Sequence, residues 1–373
     1  MIKSVKLTLK YLNPTKQQKL LTLIKEYRKI LNIVLQDLKN QKTIPKHIDY
    51  KPYNKQTWLS ARMLRRITDH AIQIIIGIRE TSNPNHHPNT NKINISLDSN
   101  CYKIIKSSKY FNEYLILKCL GNKLQIPLLL KYHRRYHKWN DCGIRMGGIE
   151  LNEKWIKINF EIKPQIKSTG KIIGVDQGIN KVITLSDGQI TPKCCPHGHT
   201  LSSIINKLSR KRKGSRAFGR AQAHRTNFIN WSINQLNLDD INEIRVERVK
   251  GLFFRSNRGR FVSHWAYRLI NNKMSSFAEE HGVRVRWQSS RYRSQRCSSC
   301  GLVKKSNRVG EIYSCSNCGI RIDADFNAAR NHEVNLPVLT SSLRLDNVTG
   351  FFWLGSGLFD LNGRSLQSLL PIK

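Results

Sequence analysis

Two Cys-x-x-Cys pairs, Cys297/Cys300 and Cys315/Cys318, carry the clearest chemistry in this chain. Such a turn aims two sulfurs at one centre, and two turns build a tetrahedral thiolate cage that suits zinc. Gly301 and Gly319 follow the pairs, as a tight metal-binding turn favours. The 14 residues between the pairs fall slightly short of the usual range, and free thiols or a redox pair are the alternatives. With four protein ligands, the zinc has no open position and is expected to be structural.

Three carboxylates offer a second kind of chemistry. Asp176 ends the apolar run Lys171-Ile-Ile-Gly-Val-Asp176, and Glu247 lies near the end of a predicted strand over 241–249. Asp325 sits in Asp323-Ala-Asp325-Phe-Asn327, directly after the second cysteine pair, and opens a helix predicted to begin near Asn327. A carboxylate at the end of a buried strand is costly unless it is paired or binds metal. Folded together, the three can hold two magnesium ions, or manganese, because hard cations take oxygen ligands. Two such ions can drive an in-line phosphodiester displacement, one activating water and the other steadying the leaving oxygen. Helix caps and salt bridges are the plainer alternative, Asp323 being the natural cap.

The elements that must position these groups follow from periodicity. Val5, Leu7 and Leu9 alternate with Lys6, Thr8 and Lys10 in a strand over 1–12, and Asn13-Pro14 then starts a helix with Leu20, Ile24, Tyr27, Leu31, Val34 and Leu38 inward. A second helix spans about 56–79, with Arg62, Arg65 and Arg66 on a basic face that is either solvated or in contact with phosphate. Residues 81–91 read as a loop, where nothing nearby completes a metal site for His86 and His87. Residues 93–130 look strand-rich, and Ile156, Ile158, Phe160 and Ile162 mark one face of a further strand. Segments 1–12 and 93–163 together suggest a small β-barrel with helices inserted. Further on, a hairpin arm is expected over 179–185, one long helical region over 201–231, a helix over 262–281 and a strand over 283–287.

Lysine and arginine outnumber acids 64 to 25 over 373 residues, a formal charge of +39 that implies a polyanionic partner. Lys131, Arg134, Arg135 and Lys138 interleave with Tyr132, Tyr136 and Trp139, which suits phosphate contact with base stacking. Lys207, Arg210, Lys211, Arg212, Lys213, Arg216 and Arg220 form a denser run, read as a phosphate contact. More cations recur around 284–296. Cys194, Cys195, His197 and His199 are too crowded to make a convincing metal site. No apolar run is long enough to span a membrane, no signal peptide precedes the first strand, and the remaining cysteines show no disulfide framework. A cytosolic, prokaryotic protein is the expectation.

Taken in order, Leu9–Gln17 (LKYLNPTKQ), Ile173–Gly178 (IGVDQG), Leu208–Ser215 (LSRKRKGS), 246–252 (VERVKGL), Ser294–Gly301 (SQRCSSCG) and Asp323–Asn331 (DADFNAARN) resemble the TnpB family. These are transposon-encoded, RNA-guided nucleases related to compact type V CRISPR effectors. The resemblance implies a multidomain α/β and β-barrel protein. Its wedge-like barrel would be 1–12 with 93–165, and its recognition-like helical insertion 13–92. A RuvC-like nuclease domain of RNase H type would be 170–290 with 319–335, carrying a zinc insert over 291–318. It further implies Asp176, Glu247 and Asp325 as catalytic acids, a guide RNA, and double-stranded target DNA recognised beside a short flanking motif. Arg248 stands where the family commonly has a second acid, 332–373 match no family feature, and the tail over 336–373 has no assigned role. RNA-guided binding without cleavage, and guide-independent cleavage by a resolvase of the same fold, are the rival readings.

Overall fold

A computed structural model describes residues 1–39, 41, 43–80, 88–106, 110–248, 266–339 and 345–366. His86, His87, the end of the 246–252 motif and the first positions of the helix expected over 262–281 lie outside them. The chain forms two compact units, Met1–Lys163 and Pro164–Lys373.

In the first unit, strict alternation makes β1 (Ile2–Thr8) a half-buried strand. It pairs antiparallel with β7 (Trp155–Glu161), setting Val5 opposite Ile158 and Leu7 opposite Ile156. With β2 (Ile95–Leu97) and β6 (Ile144–Leu151), the sheet order is β1-β7-β6-β2. A separate sheet holds β3 (Tyr102–Lys106), β4 (Glu113–Leu117) and β5 (Ile126–Leu130). Pro127, which cannot donate to a ladder, lies in β5 at the edge of that sheet. Helices α1 (Pro14–Lys39) and α2 (Ala61–Arg79) bury their apolar stripes in the same core. Asn13 accepts from Lys16 N at 3.0 Å and Ser60 from Met63 N at 3.2 Å, giving each helix its N-terminal cap.

The expected closed barrel is not formed among the described residues. A barrel needs a continuous, evenly staggered ladder. Here β2 is only three residues long, the β6–β7 register shifts between Arg145 and Ile149, and the strands divide into two open sheets.

In the second unit, β8 (Lys171–Gln177) and β10 (Ile241–Arg248) run parallel at the centre of a sheet. β9 (Ile183–Leu185) flanks β8 and β11 (Arg284–Ser289) flanks β10. Ile173, Val175, Ile244 and Val246 share a core with α4 (Leu201–Ser209), α5 (Arg216–Ile233) and α6 (Tyr267–Glu280). The long helix expected over 201–231 is therefore two helices. Gly214, at φ +83°, ends the link between them, and Ser215 caps α5 by accepting from Phe218 N at 3.1 Å.

The cysteine-bearing segment contributes β12 (Leu302–Val303), β13 (Arg308–Val309), β14 (Ile312–Ser314) and β15 (Arg321–Asp323), then α7 (Ala324–Glu333). The C-terminal stretch folds as a hairpin, β16 (Phe351–Leu354) and β17 (Gly357–Phe359), and β16 pairs with β12. Trp353 and Phe351 are buried beneath it. Among the described residues, no helix is long and apolar enough to cross a membrane.

Gly174 lets α7 lie directly on β8, because a Cβ there would overlap the Ala329 carbonyl and the Glu333 amide. Gly174→Ala is expected to destabilise the protein by about 1–3 kcal/mol or more. Gly77→Ala, in α2 with nothing within 4 Å of the new methyl, should instead stabilise by about 0.5–1 kcal/mol. Thermal denaturation of the two variants checks this, and equal transitions would refute the close approach.

Candidate active site and metal centres

The two cysteine turns are built alike. Cys297 N donates to Leu302 O at 2.8 Å and Cys315 N to Ile320 O at 2.9 Å. Gly301 and Gly319 take left-handed φ values of 82° and 73°. Cys297 Sγ lies 3.6 Å from Cys318 Sγ, and Cys300 Sγ 3.6 Å from Cys315 Sγ. Four sulfurs about 2.3 Å from one zinc would stand roughly 3.8 Å apart, so the donor set and spacing fit zinc. Burial pushes the Cys297 thiol up, whereas the Ile320 amide pulls Cys318 down to about 7.

Register brings the acids together. Val175 and Val246 are paired across the parallel strands β8 and β10, so the next residues, Asp176 and Glu247, leave the sheet side by side. α7 reaches them from the other direction. Asp323 caps it, its Oδ1 accepting from Asp325 N at 3.1 Å and Phe326 N at 3.0 Å. Asp325, Ala328 and His332 then line the same cavity as Asp176 and Glu247, a space of about 780 Å³. Spacings of three and seven residues put them on one helix face.

Burial dominates the electrostatics of the acids, and Asp176 also feels its acidic neighbours. Burial, then the charges of Glu247 and Asp325, hold the Asp176 carboxyl well above the usual range. Burial raises Glu247 to about 7, against an opposing effect of Arg308. Asp325 faces two cations, Arg308 Nη2 at 3.1 Å and Lys181 Nζ at 3.7 Å. Lys181 is only 5% exposed and also bonds Asp323. Burial works against ionised Asp323, but the Lys181 bond and two backbone amides outweigh it. One ring nitrogen of His332 and a carboxylate oxygen each from Asp176 and Glu247 lie within 4.8 Å of one another. Burial, then the nearby Arg293, lower His332 to about 3, so the imidazole is neutral. Motif spacing does not single out His332, Arg308 or Lys181, yet all three line or face this cluster. For His332, the seven-residue offset from Asp325 was the available signal.

The cationic segments divide. Lys131, Arg134, Arg135 and Lys138 are exposed, at or on α3 (Arg134–Cys142). Their aromatic neighbours are not free to stack on bases. Tyr136 and Trp139 are buried, and Tyr132 stacks on Tyr136 at 3.6 Å. Lys207, on α4, and Arg216 and Arg220, on α5, are exposed, as are Arg210, Arg212 and Lys213 in the link between the helices; Lys211 there is half-buried. Arg62 and Arg66 pair with Asp98 and Asp69, and Arg65 lies over Tyr50 at 4.9 Å, so internal partners hold that basic face. Arg293 and Arg296 are buried as well. Among the described residues, Cys194, Cys195, His197 and His199 form no metal-binding cluster, and His199 meets the His224 ring edge-on at 4.9 Å.

The chain has known counterparts. Residues 267–332 match the family model described as Cas12f1-like, TNB domain. A CRISPR-associated endodeoxyribonuclease Cas12f1 of Sulfoacidibacillus thermotolerans is 27% identical over 48% of this chain and 50% of its own length. A Cas12f1 of Syntrophomonas palmitatica is 24% identical over 77% of this chain and 72% of its own. The chain thus spans half of the first relative's length. Among solved structures, the protein in a cryo-EM structure of a Cas12f1–sgRNA–target DNA complex superposes with a TM-score of 0.57 at 13% identity, covering 90% of this chain and 99% of that one. The two share a fold.

Two measurements test the centres. Elemental analysis should find one zinc per chain, and Cys315→Ser should lower both zinc content and melting temperature, since a structural zinc contributes directly to folding. The acids predict a pH effect with a definite sign. Carboxylates raised in the folded state stabilise it below their ordinary range, and that stability is lost as pH rises through about 7. His332, lowered in the folded state, acts oppositely, but only below its ordinary value of 6.5. Above about pH 6.5, where His332 no longer opposes it, the metal-free site therefore loses stability with rising pH as Glu247 ionises near pH 7, and Asp176, raised well above its usual range, acts in the same direction. Added magnesium or manganese should abolish the trend. Melting curves in chelator-free buffer, which leaves the zinc in place, check it, and a flat metal-free profile would contradict the raised acids.

Proposed function

We propose that this chain, a relative of the compact TnpB-like and Cas12f-type V effectors, is an RNA-guided, metal-dependent DNA endonuclease acting in the prokaryotic cytosol. One observation carries the reading. Asp176 and Glu247, side by side at the ends of parallel strands, face Asp325 across one cavity, with two of the three acids held in the protonated direction. A divalent cation relieves both the burial of these carboxylates and the repulsion that Asp176 feels from its neighbours.

In this reading the second unit is a RuvC-like nuclease, with Asp176, Glu247 and Asp325 as the ligands of magnesium or manganese. When bound, the metals supply an activated water and charge stabilisation at the leaving oxygen. The protein's own contribution is placement. β8 and β10 hold two acids at a spacing set by strand register, and the Asp323 cap sets the first turn of α7. Arg308 and Lys181 hold Asp325 oriented until a cation competes for it. The exposed cations at 131–138 and 207–220 would bind phosphates of a guide RNA and of the target duplex without reading sequence.

Asp176→Ala, Glu247→Ala and Asp325→Ala should each reduce cleavage of guide-matched duplex DNA by a thousandfold or more, on the order of 4 kcal/mol in activation free energy, with binding retained. Asp323→Ala should lower stability by about 1 kcal/mol, as loss of a helix cap does, and leave measurable cutting. Cleavage and gel-shift assays on protein purified with its flanking DNA co-expressed decide it. Sequencing the RNA that copurifies separates the branches: an RNA encoded beside the gene marks a mobile-element nuclease, and a CRISPR transcript marks the other. Programmed cutting by RNA-free protein would favour the guide-independent resolvase.

A further inference from the structure

We propose that His332 is a metal ligand, its imidazole joining Asp176 and Glu247 on one divalent cation and biasing that site toward manganese over magnesium. This rests on the nuclease reading above and adds a residue outside its acidic motifs.

Geometry comes first. The ring nitrogen and the two carboxylate oxygens lie within 4.8 Å of one another. Ligands on opposite sides of one small cation stand about 4.2 Å apart, so small side-chain adjustments suffice. Asp325, whose oxygens face Arg308 and Lys181, is not part of this trio. It stands elsewhere on the cavity wall, in place for a second ion.

Burial makes the same point. His332 is 2% exposed, and its Nδ1 has no hydrogen-bond partner among the described residues. An unsatisfied buried polar atom costs about 1–3 kcal/mol and calls for an explanation. A cation held by Nδ1 together with the two carboxylates would provide one, because it would satisfy that nitrogen while relieving the repulsion felt by Asp176.

The ring cannot easily turn away. Its neighbour Asn331 donates from Nδ2 to Arg293 O at 2.9 Å and Arg296 O at 2.6 Å. Gly174 receives the backbone of α7 at this very turn, His332 included. The helix is thus fixed in rotation where His332 enters the cavity.

Donor chemistry then sets metal choice. Magnesium strongly prefers oxygen ligands and retains water. Imidazole is a borderline donor that favours first-row transition ions, and manganese is the member of that series that also accepts carboxylates readily. Two carboxylates and one imidazole therefore bind manganese better than the carboxylates alone, with little gain for magnesium.

The test uses zinc-loaded full-length chain in magnesium-free buffer, with manganese as the probe. Pulsed electron paramagnetic resonance should detect a nitrogen directly coordinated to manganese in the native chain. His332→Leu and His332→Gln should both abolish that coupling while keeping zinc content, the check on folding. Manganese affinity should fall by roughly tenfold or more, the size of loss seen on removing even an outer partner of a metal ligand. Magnesium affinity, measured by competition, should change less. Manganese bound to the native chain without nitrogen coupling, or coupling that persists in both variants, would overturn the assignment and leave the acidic site standing. No manganese binding to the native chain, with Asp176→Asn behaving identically, would overturn both.

Discussion

Two asparagines connect the zinc-type cysteine turn to the helix that carries the late acid. Asn327 accepts from Ser298 N at 2.9 Å and donates to Arg296 O at 2.8 Å, and Asn331, one turn on, donates to the same carbonyl. Arg296 returns the contact through Nη1 to Asn331 Oδ1 at 2.5 Å. All of these groups are buried or nearly so, where an amide with both faces paired is rigid and a half-paired one is costly. The first cysteine turn therefore cannot shift without moving α7, and α7 carries Asp325 and His332. In the proposed reading, a metal held by the four cysteines would set the geometry of the acidic site in this way, by fixing the helix on which Asp325 and His332 ride.

The far end of α7 is held by guanidinium groups. Arg293 donates to Asn331 O and Val334 O, and Arg245 to Glu333 O at 2.6 Å. Cations at a helix C-terminus complement its dipole and satisfy carbonyls that have no intrahelical donor. Asp323 does the reciprocal work at the N-terminus. With both ends fixed and Gly174 allowing contact in between, the helix has one seat on the sheet. Arg296 also donates to Trp353 O at 2.7 Å, which draws the C-terminal hairpin into the same arrangement. The stretch with no family counterpart thus supports the segment that holds the cysteines.

What the sequence made legible was local. Each cysteine turn is closed by hydrogen bonds within a few residues, so its spacing alone reveals it. Asp176 stands at the polar end of an apolar run, and Glu247 near the end of a strand that alternation predicts. The failures involve partners distant in sequence. Arg62 and Arg66 looked available because Asp98, which holds them, lies beyond an intervening loop. Arg293 and Arg296 counted as basic surface until the carbonyls of α7 and Trp353 took them inside. In residues 131–139, interleaved aromatic and basic residues suited nucleic acid, yet Tyr136 and Trp139 are three apart on a helix and face the core. The barrel failed because alternation reports which face of a strand is buried and says nothing of whether a sheet closes.

The positive charge of this chain is accordingly two phenomena. The cations that clamp α7, Arg245, Arg293 and Arg296, are all arginines, and each bonds carbonyl, carboxylate or amide oxygens through several donors, a task that a lysine point charge does poorly. The exposed run at 207–220 mixes lysine and arginine, as expected where only charge is required. In Arg210-Lys211-Arg212-Lys213 four cations share one short link, and like charges so close repel one another. That cost mirrors the one at the acids, where Asp176, Glu247 and Asp325 repel across a cavity. At the acids, Arg308 and Lys181 pair with Asp325, while Asp176 and Glu247 stay raised. In the proposed reading, a divalent cation would relieve the acids and a phosphate backbone the basic link, so these clustered charges are where the two ligands would belong.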